Sequence, residues 1–200
     1  MPVGELAFLE EGHRRLGVLI ANASLNELTR NQASRLAALN SIARAMASTL
    51  DEASVLTALR ATLSQLLPVD SLDMVSVTKD RADKARLLHL EADSAPTSKE
   101  ISLRSAEFTP ARTVLRNPKP VLIHEPTSSL WVPIIEGGAA RGAFGINCSR
   151  PYAYEDSTAA FLELVADEVT LAIRNARSYE AIEAQRRQLE VVKPFGRRLD

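Results

Sequence analysis

Apolar residues recur at steps of three and four from the start of the chain. Leu6, Leu9, Leu16 and Ile20, with His13 between them, fall along one stripe of a predicted helix. At Ser24 the phase slips. Ser24 followed by Glu27 forms a capping-box pattern, in which hydroxyl and carboxylate each satisfy a free backbone N–H, so a second helix is predicted to start there. Its stripe runs Leu25, Leu28, Leu36, Leu39, Ile42, Met46, Leu50 and is interrupted at Gln32. A stripe this narrow on a helix this long suits a seam between helices, across a dimer, or, for Leu39 to Leu50, packing on the chain's own domain. Asp51 is then the predicted N-cap of a helix carrying Val55, Leu56, Leu59, Leu63, Leu66 and Leu67, which Pro68 ends.

Beyond Pro68 the period changes. SLDMVSV (71–77) and RLLHL (86–90) are short apolar runs joined by a charged segment, which predicts two strands and a polar turn. A Pro/Ser/Thr-rich loop, DSAPTSKE, leads to a brief strand ISL, a short helix in EFTPARTVLRN with Pro110 in its first turn, and a strand PVLIHE (120–125). The chain closes with one long helix from YEDS onward. Phe161, Leu164, Val165, Val169, Ala172, Ile173, Ala176, Tyr179 and Ile182 form its apolar face. Helices before and after a set of strands are an α+β layout, with both long helices on one face of an antiparallel sheet.

WVPIIEGGAARGAFGIN (131–147) holds two apolar runs around Gly137, Gly138 and Gly142. A phosphate-binding loop would need Lys and Ser or Thr after the second glycine and a helix to follow. Ala143 and Phe144 stand there instead, in a run that reads as a strand. The dinucleotide spacing fails as well. The segment therefore reads as a β-hairpin whose turn, Glu136 to Arg141, contains glycines that tolerate positive φ, with Gly145 keeping a crowded strand slim.

Composition narrows the function. The 200 residues carry a formal charge of −1 from 24 basic and 25 acidic side chains, so no overall field favours nucleic acid or an anionic membrane. Cys148 is the single cysteine, which excludes an intramolecular disulfide and Cys-rich metal sites and suits a reducing cytoplasm. No apolar run reaches the roughly 18 residues of a spanning helix, and the N-terminus lacks the pattern of a signal peptide, which predicts a cytoplasmic chain.

The hairpin and the helix after it resemble the C-terminal half of GAF domains, the small-molecule-binding signalling modules of sensor kinases, AAA+ activators and phosphodiesterases. The motifs are Val132-Pro133, the turn Glu136 to Arg141, the strand Gly142 to Ile146, Tyr154-Glu155-Asp156, and Ala172-Ile173-Arg174-Asn175-Ala176. With the N-terminal half in DEASVLTALRATLSQLLPVDSLDMVSV, the resemblance covers about residues 36 to 180. It implies a GAF-like, PAS-related sheet of about six antiparallel strands, with the long N- and C-terminal helices on one face and short helices and loops enclosing a pocket on the other. It implies a helical extension over 1–30, the GAF domain over 31–182 and a connector over 183–200. It further implies a homodimer through the terminal helices, with signal relayed to an output module such as a histidine kinase or AAA+ activator. A ligand-free assembly module is the alternative. The cyclic-nucleotide pattern is absent, Cys148 is not placed for bilin attachment, and one cysteine cannot form the redox relay of methionine sulfoxide reductases.

Candidate chemistry is sparse. His89 and His124 lie on strands where the pocket would be lined, and if they faced each other could hold a metal or ligand; each could equally be a packed strand histidine. Arg104 and Arg112 flank the short helix over the pocket and could clamp an anion, or be solvated. Trp131 could stack on a flat ligand or pack against a helix, and Cys148 fills space. No nucleophile with a neighbouring base can be assembled, so no catalytic or metal site is predicted, no cofactor is identified and the domain is expected not to be an enzyme. Candidate interface positions are Leu25, Leu28, Leu36, Leu39, Ile42, Met46, Ile173, Ala176 and Tyr179.

Overall fold

The computed structural model describes residues 22–23, 25–27, 29–30, 32–45, 51–77 and 83–192. It divides into two units, Met1–Ala38 and Leu39–Asp200. In the first unit the described residues are helical, the Thr29 hydroxyl donates to the Leu25 carbonyl at 2.8 Å, and Leu25 and Leu36 are exposed. The stripe expected from Leu6 to Ile20, the Ser24 cap, Leu28, Met46 and Leu50 lie outside the described residues.

Helix α1 (Glu52–Leu63) begins as the sequence predicts. The Asp51 carboxylate accepts from the Ser54 hydroxyl at 2.6 Å and the Ser54 N–H at 2.8 Å, and these bonds hold it below the usual carboxylate range. The helix ends at Leu63, short of the expected Leu67. Ser64 turns its hydroxyl back onto the Arg60 carbonyl at 2.8 Å, and a residue preceding proline is biased to extended backbone.

Six strands follow: β1 (Ser71–Val77), β2 (Lys84–Glu91), β3 (Thr97–Ser102), β4 (Val121–Ile123), β5 (Ser128–Glu136) and β6 (Ala139–Cys148). They form one antiparallel sheet in the order β3-β2-β1-β6-β5-β4. β3 starts inside the stretch predicted as loop. It is an edge strand whose exposed Ser98, Lys99 and Glu100 discourage further pairing, so its composition reads as polar connection. β4, the other edge, keeps only three of the six expected residues.

Alternation sends Leu72, Met74, Leu130, Val132, Phe144 and Ile146 to one face, all fully buried. There α1 packs on β1 and β2, and helix α3 (Asp156–Val192) packs on β5 and α1 through Phe161, Leu162, Val165, Val169, Ile173 and Ala176. Burying one such side chain stabilises the fold by roughly 1.5–3 kcal/mol. Ile42, Ile173 and Ala176, expected at an interface, are buried within this unit, and Leu39 is half-buried. Leu164, Tyr179 and Ile182, expected on the apolar face of α3, are instead exposed. No helix among the described residues is long and apolar enough to cross a membrane.

The opposite face carries a second apolar cluster, Val75, Leu87, Trp131 and Ala143 of the sheet with Phe108, Ala111 and Val114 of the short helix above it. That helix, α2 (Thr109–Arg116), follows a single 3-10 turn, Ala106–Phe108. The hairpin turn is tighter than expected, only Gly137 and Gly138, at φ of 61° and 80°. Gly142 lies inside β6, not in the turn. Gly145 is required by contact, because a Cβ there would lie 2.6–2.8 Å from the Trp131 indole carbons.

Candidate functional site

At the N-terminal end of α2 the sheet is uncovered over a cavity of about 620 Å³. Its floor is made by the first residues of β1, the last of β2 and the last of β6, so three strand ends bring their side chains to one place. Asp73 and His89 are cross-strand partners, and Asp73 stands opposite Gly145, over which the Trp131 indole lies. The Asp73 carboxylate holds two neighbours. His89 Nδ1 lies 2.7 Å from Asp73 Oδ1, and the Asn147 amide donates to Asp73 Oδ2 at 2.7 Å and to the Ser71 hydroxyl at 3.1 Å.

With Nδ1 donating to Asp73, Nε2 faces Glu91 at 3.4 Å. Burial would push the imidazole's pKa down, but the hydrogen bond and charge of Asp73, and then of Glu91, outweigh it and hold His89 above its ordinary value. Protonated, the ring presents a second N–H beside the cavity. Trp131, Phe108 and Pro110 supply apolar wall, and Glu107, Glu125 and Lys99 add charge. The arrangement can fix a small molecule by hydrogen bonds at the floor and apolar contact at the side, the usual composition of ligand pockets of roughly 300–1,000 Å³.

His89 and Trp131 are therefore brought together, and His124 is not. β4 stops at Ile123, so the next side chain no longer obeys the strand's alternation. His124 stacks on Tyr152, ring centres 5.2 Å apart and planes 15° from parallel, and is absent from the cavity lining. The expected pairing of the two histidines is thus replaced by the pairing of His89 with Asp73. Arg104 and Arg112 line a different cavity, of about 530 Å³, at the far end of α2. Asp73 and Asn147 were not singled out from sequence. Alternation alone sets Asp73 on the face of Val75, but the registers joining β1 to β2 and β6 decide that it meets His89 and Asn147. Cys148 is buried beside Ile146 on the helix-covered side, away from the cavity.

No protein-family model matches the sequence, and no curated protein matches it. Solved structures do. The GAF domain of an Acinetobacter phosphoenolpyruvate-protein phosphotransferase superposes with a TM-score of 0.59 at 16% identity, covering 74% of this chain and 97% of that one. The fold is that of a GAF domain. A methyl-accepting chemotaxis protein matches this GAF fold with a TM-score of 0.54 at 17% identity, over 70% of this chain and 98% of that one. So does the free methionine-R-sulfoxide reductase of Neisseria meningitidis in complex with its substrate, with a TM-score of 0.57 at 14% identity, over 70% of this chain and 88% of that one. This last likeness corrects the expectation that the domain is not an enzyme, because the same GAF architecture serves a reductase and does not by itself exclude catalysis.

Proposed function

We propose that this GAF domain is a sensor, which binds a small polar molecule over Asp73, His89 and Asn147 and passes the bound state to helix α3. The observation that carries the reading is a register. Asp73 pairs with His89, and three positions along the same two strands Ser76 pairs with Arg86. Three is an odd number, so the second pair faces the other side of the sheet. There the Arg177 guanidinium of α3 donates to Ser76 at 3.2 Å, to Glu136 at 3.2 Å and to Glu52 of α1 at 2.8 Å, while Arg86 forms an ion pair with the same buried Glu52. A ligand shifts an equilibrium only if it favours one arrangement over another, and the β1–β2 ladder is the rigid element common to the pocket and to the anchor of α3.

From residue 183 onward the chain is the connector to an output module of the kinase or AAA+ kind, and the molecule is a cytoplasmic homodimer. Leu164, Leu171 and Ile182 support the dimer: all are exposed, and their spacing of seven and then eleven residues keeps them on one line of the helix, as a seam with a second copy requires. Residues 31–182 are the sensory module.

The reading is tested by screening amino acids, 2-oxo acids and cyclic nucleotides by thermal shift, with light scattering to read mass. A compound that stabilises the wild type but not Asp73→Asn, and slows hydrogen exchange in α3 of the wild type but not of Arg177→Ala, is the expected result. A stable dimer that no compound stabilises would leave assembly alone as the function.

A further inference from the structure

The second cavity, of about 530 Å³, is lined by the end of β1, Asp83, Leu103 and Arg104, the start of β6 and the C-terminal half of α2. Its charge is one-sided. Arg104, Arg112 and Arg116 line it with Asp83, three guanidinium groups against one carboxylate. Arg112 donates to the Leu103 carbonyl at 2.9 Å and to the Thr109 hydroxyl at 3.1 Å, so both of its acceptors are neutral. These bonds fix the guanidinium plane while leaving its charge uncompensated among the described residues. Arg116, one helical turn further, is exposed and has no ion pair among them. Arg104 is paired with Asp83, but both side chains are largely exposed, at 78% and 54%, and such a pair exchanges readily for a better acceptor. Leu103 and Leu115 add apolar wall.

We propose that this cavity is a second ligand site, for a small phosphomonoester. Among the described lining residues three arginines stand against one aspartate, an excess of positive charge of the sign that a phosphate monoester, at about −1.5 to −2 near neutral pH, requires. Guanidinium groups bind phosphate oxygens in pairs, and the volume and the two leucines accommodate an organic group on the ester oxygen. Binding draws Arg104 from Asp83 to the phosphate. Among the described residues the two cavities share no lining residue, and the bond from Arg112 to Thr109 is the side-chain contact between their linings.

Calorimetric titration of the full chain with phenyl phosphate, at constant ionic strength and pH 7.5, tests the proposal. One saturable site is expected, with inorganic phosphate weaker because it leaves half-buried Leu115 uncovered. Arg116→Gln removes an exposed side chain, so folding is retained, and is expected to weaken phenyl phosphate roughly 2- to 5-fold, the loss of one solvent-exposed ionic contact. Asp83→Asn is expected to tighten it, because the competing carboxylate is gone. Affinity is expected to fall below about pH 6, where the dianion is protonated. Absence of saturable binding, affinities unchanged in both variants, or binding abolished by Asp73→Asn instead, would each overturn the proposal.

Discussion

The face of the sheet beneath α1 and α3 is filled, whereas the face beneath α2 is interrupted by a cavity at each end of that helix. Both faces are built from alternate residues of the same six strands, so the difference lies in what covers them. On the filled side the fully buried Phe144, Leu130 and Met74 share their face with α1 and α3, whose own apolar residues are buried there as well. On the other, a helix of eight residues covers only the middle, and the strand ends are left to ionisable side chains. The packed core and the proposed ligand sites are thereby separated to opposite sides of one ladder. Among the described residues Glu52, Arg86, Glu136 and Arg177 form one ionic cluster on the filled side, and it ties the helices to the strands there.

The sharpest test of that contrast is truncation on the filled side. Phe144→Ala opens a void where the neighbours are already in contact, and is expected to lower the unfolding free energy by about 3–5 kcal/mol in urea denaturation. Gly145→Ala, the adjacent residue facing the other way, should cost less, about 1–3 kcal/mol, because the Trp131 indole can shift toward the cavity. A cost for Gly145→Ala as large as that for Phe144→Ala would show that the cavity face is as tightly packed as the helix face. Arg177→Ala removes one of two arginines held by buried Glu52. Since Arg177 is 39% exposed and Arg86 remains, about 1 kcal/mol is expected, with α3 exchanging its amide hydrogens faster.

The filled side was the legible one. Its helices announce themselves by apolar residues at steps of three and four, and its hairpin by two apolar runs around Gly137 and Gly138, because burial against a continuous surface demands strict periodicity. On the cavity side the sequence pointed to His89 and Trp131, which line the first cavity, and to Arg104 and Arg112, which line the second. Asp73 looked like one polar residue among alternating ones, and its meaning comes from strand registers that bring together residues 16 and 74 positions apart. His124 misled because a strand predicted over six residues ends after three, and Leu164 because its spacing fits the apolar stripe of α3 while its side chain lies off the buried arc. The edge strand β3 was hidden by the polar residues that discourage a further strand from pairing on its outer side.

The smallest effect on stability is the most direct reading of the cavity side. The His89 pKa is raised on folding, so its pairing with Asp73 contributes fully below the unfolded value of about 6.5 and is lost as pH rises through the higher folded value. Asp73→Asn should therefore destabilise the protein by under about 1 kcal/mol, and more so at pH 6 than at pH 8.5. NMR titration of the His89 ring follows the group itself. If Asp73 and His89 form the floor of a site whose strands also anchor α3, His89 titrates above its ordinary value, drops in Asp73→Asn, and the amide signals of Ser76 and Arg177 shift with the same midpoint. A His89 that titrates at or below its ordinary value, unmoved by Asp73→Asn and silent at Ser76 and Arg177, would contradict both the site and the link to the helix.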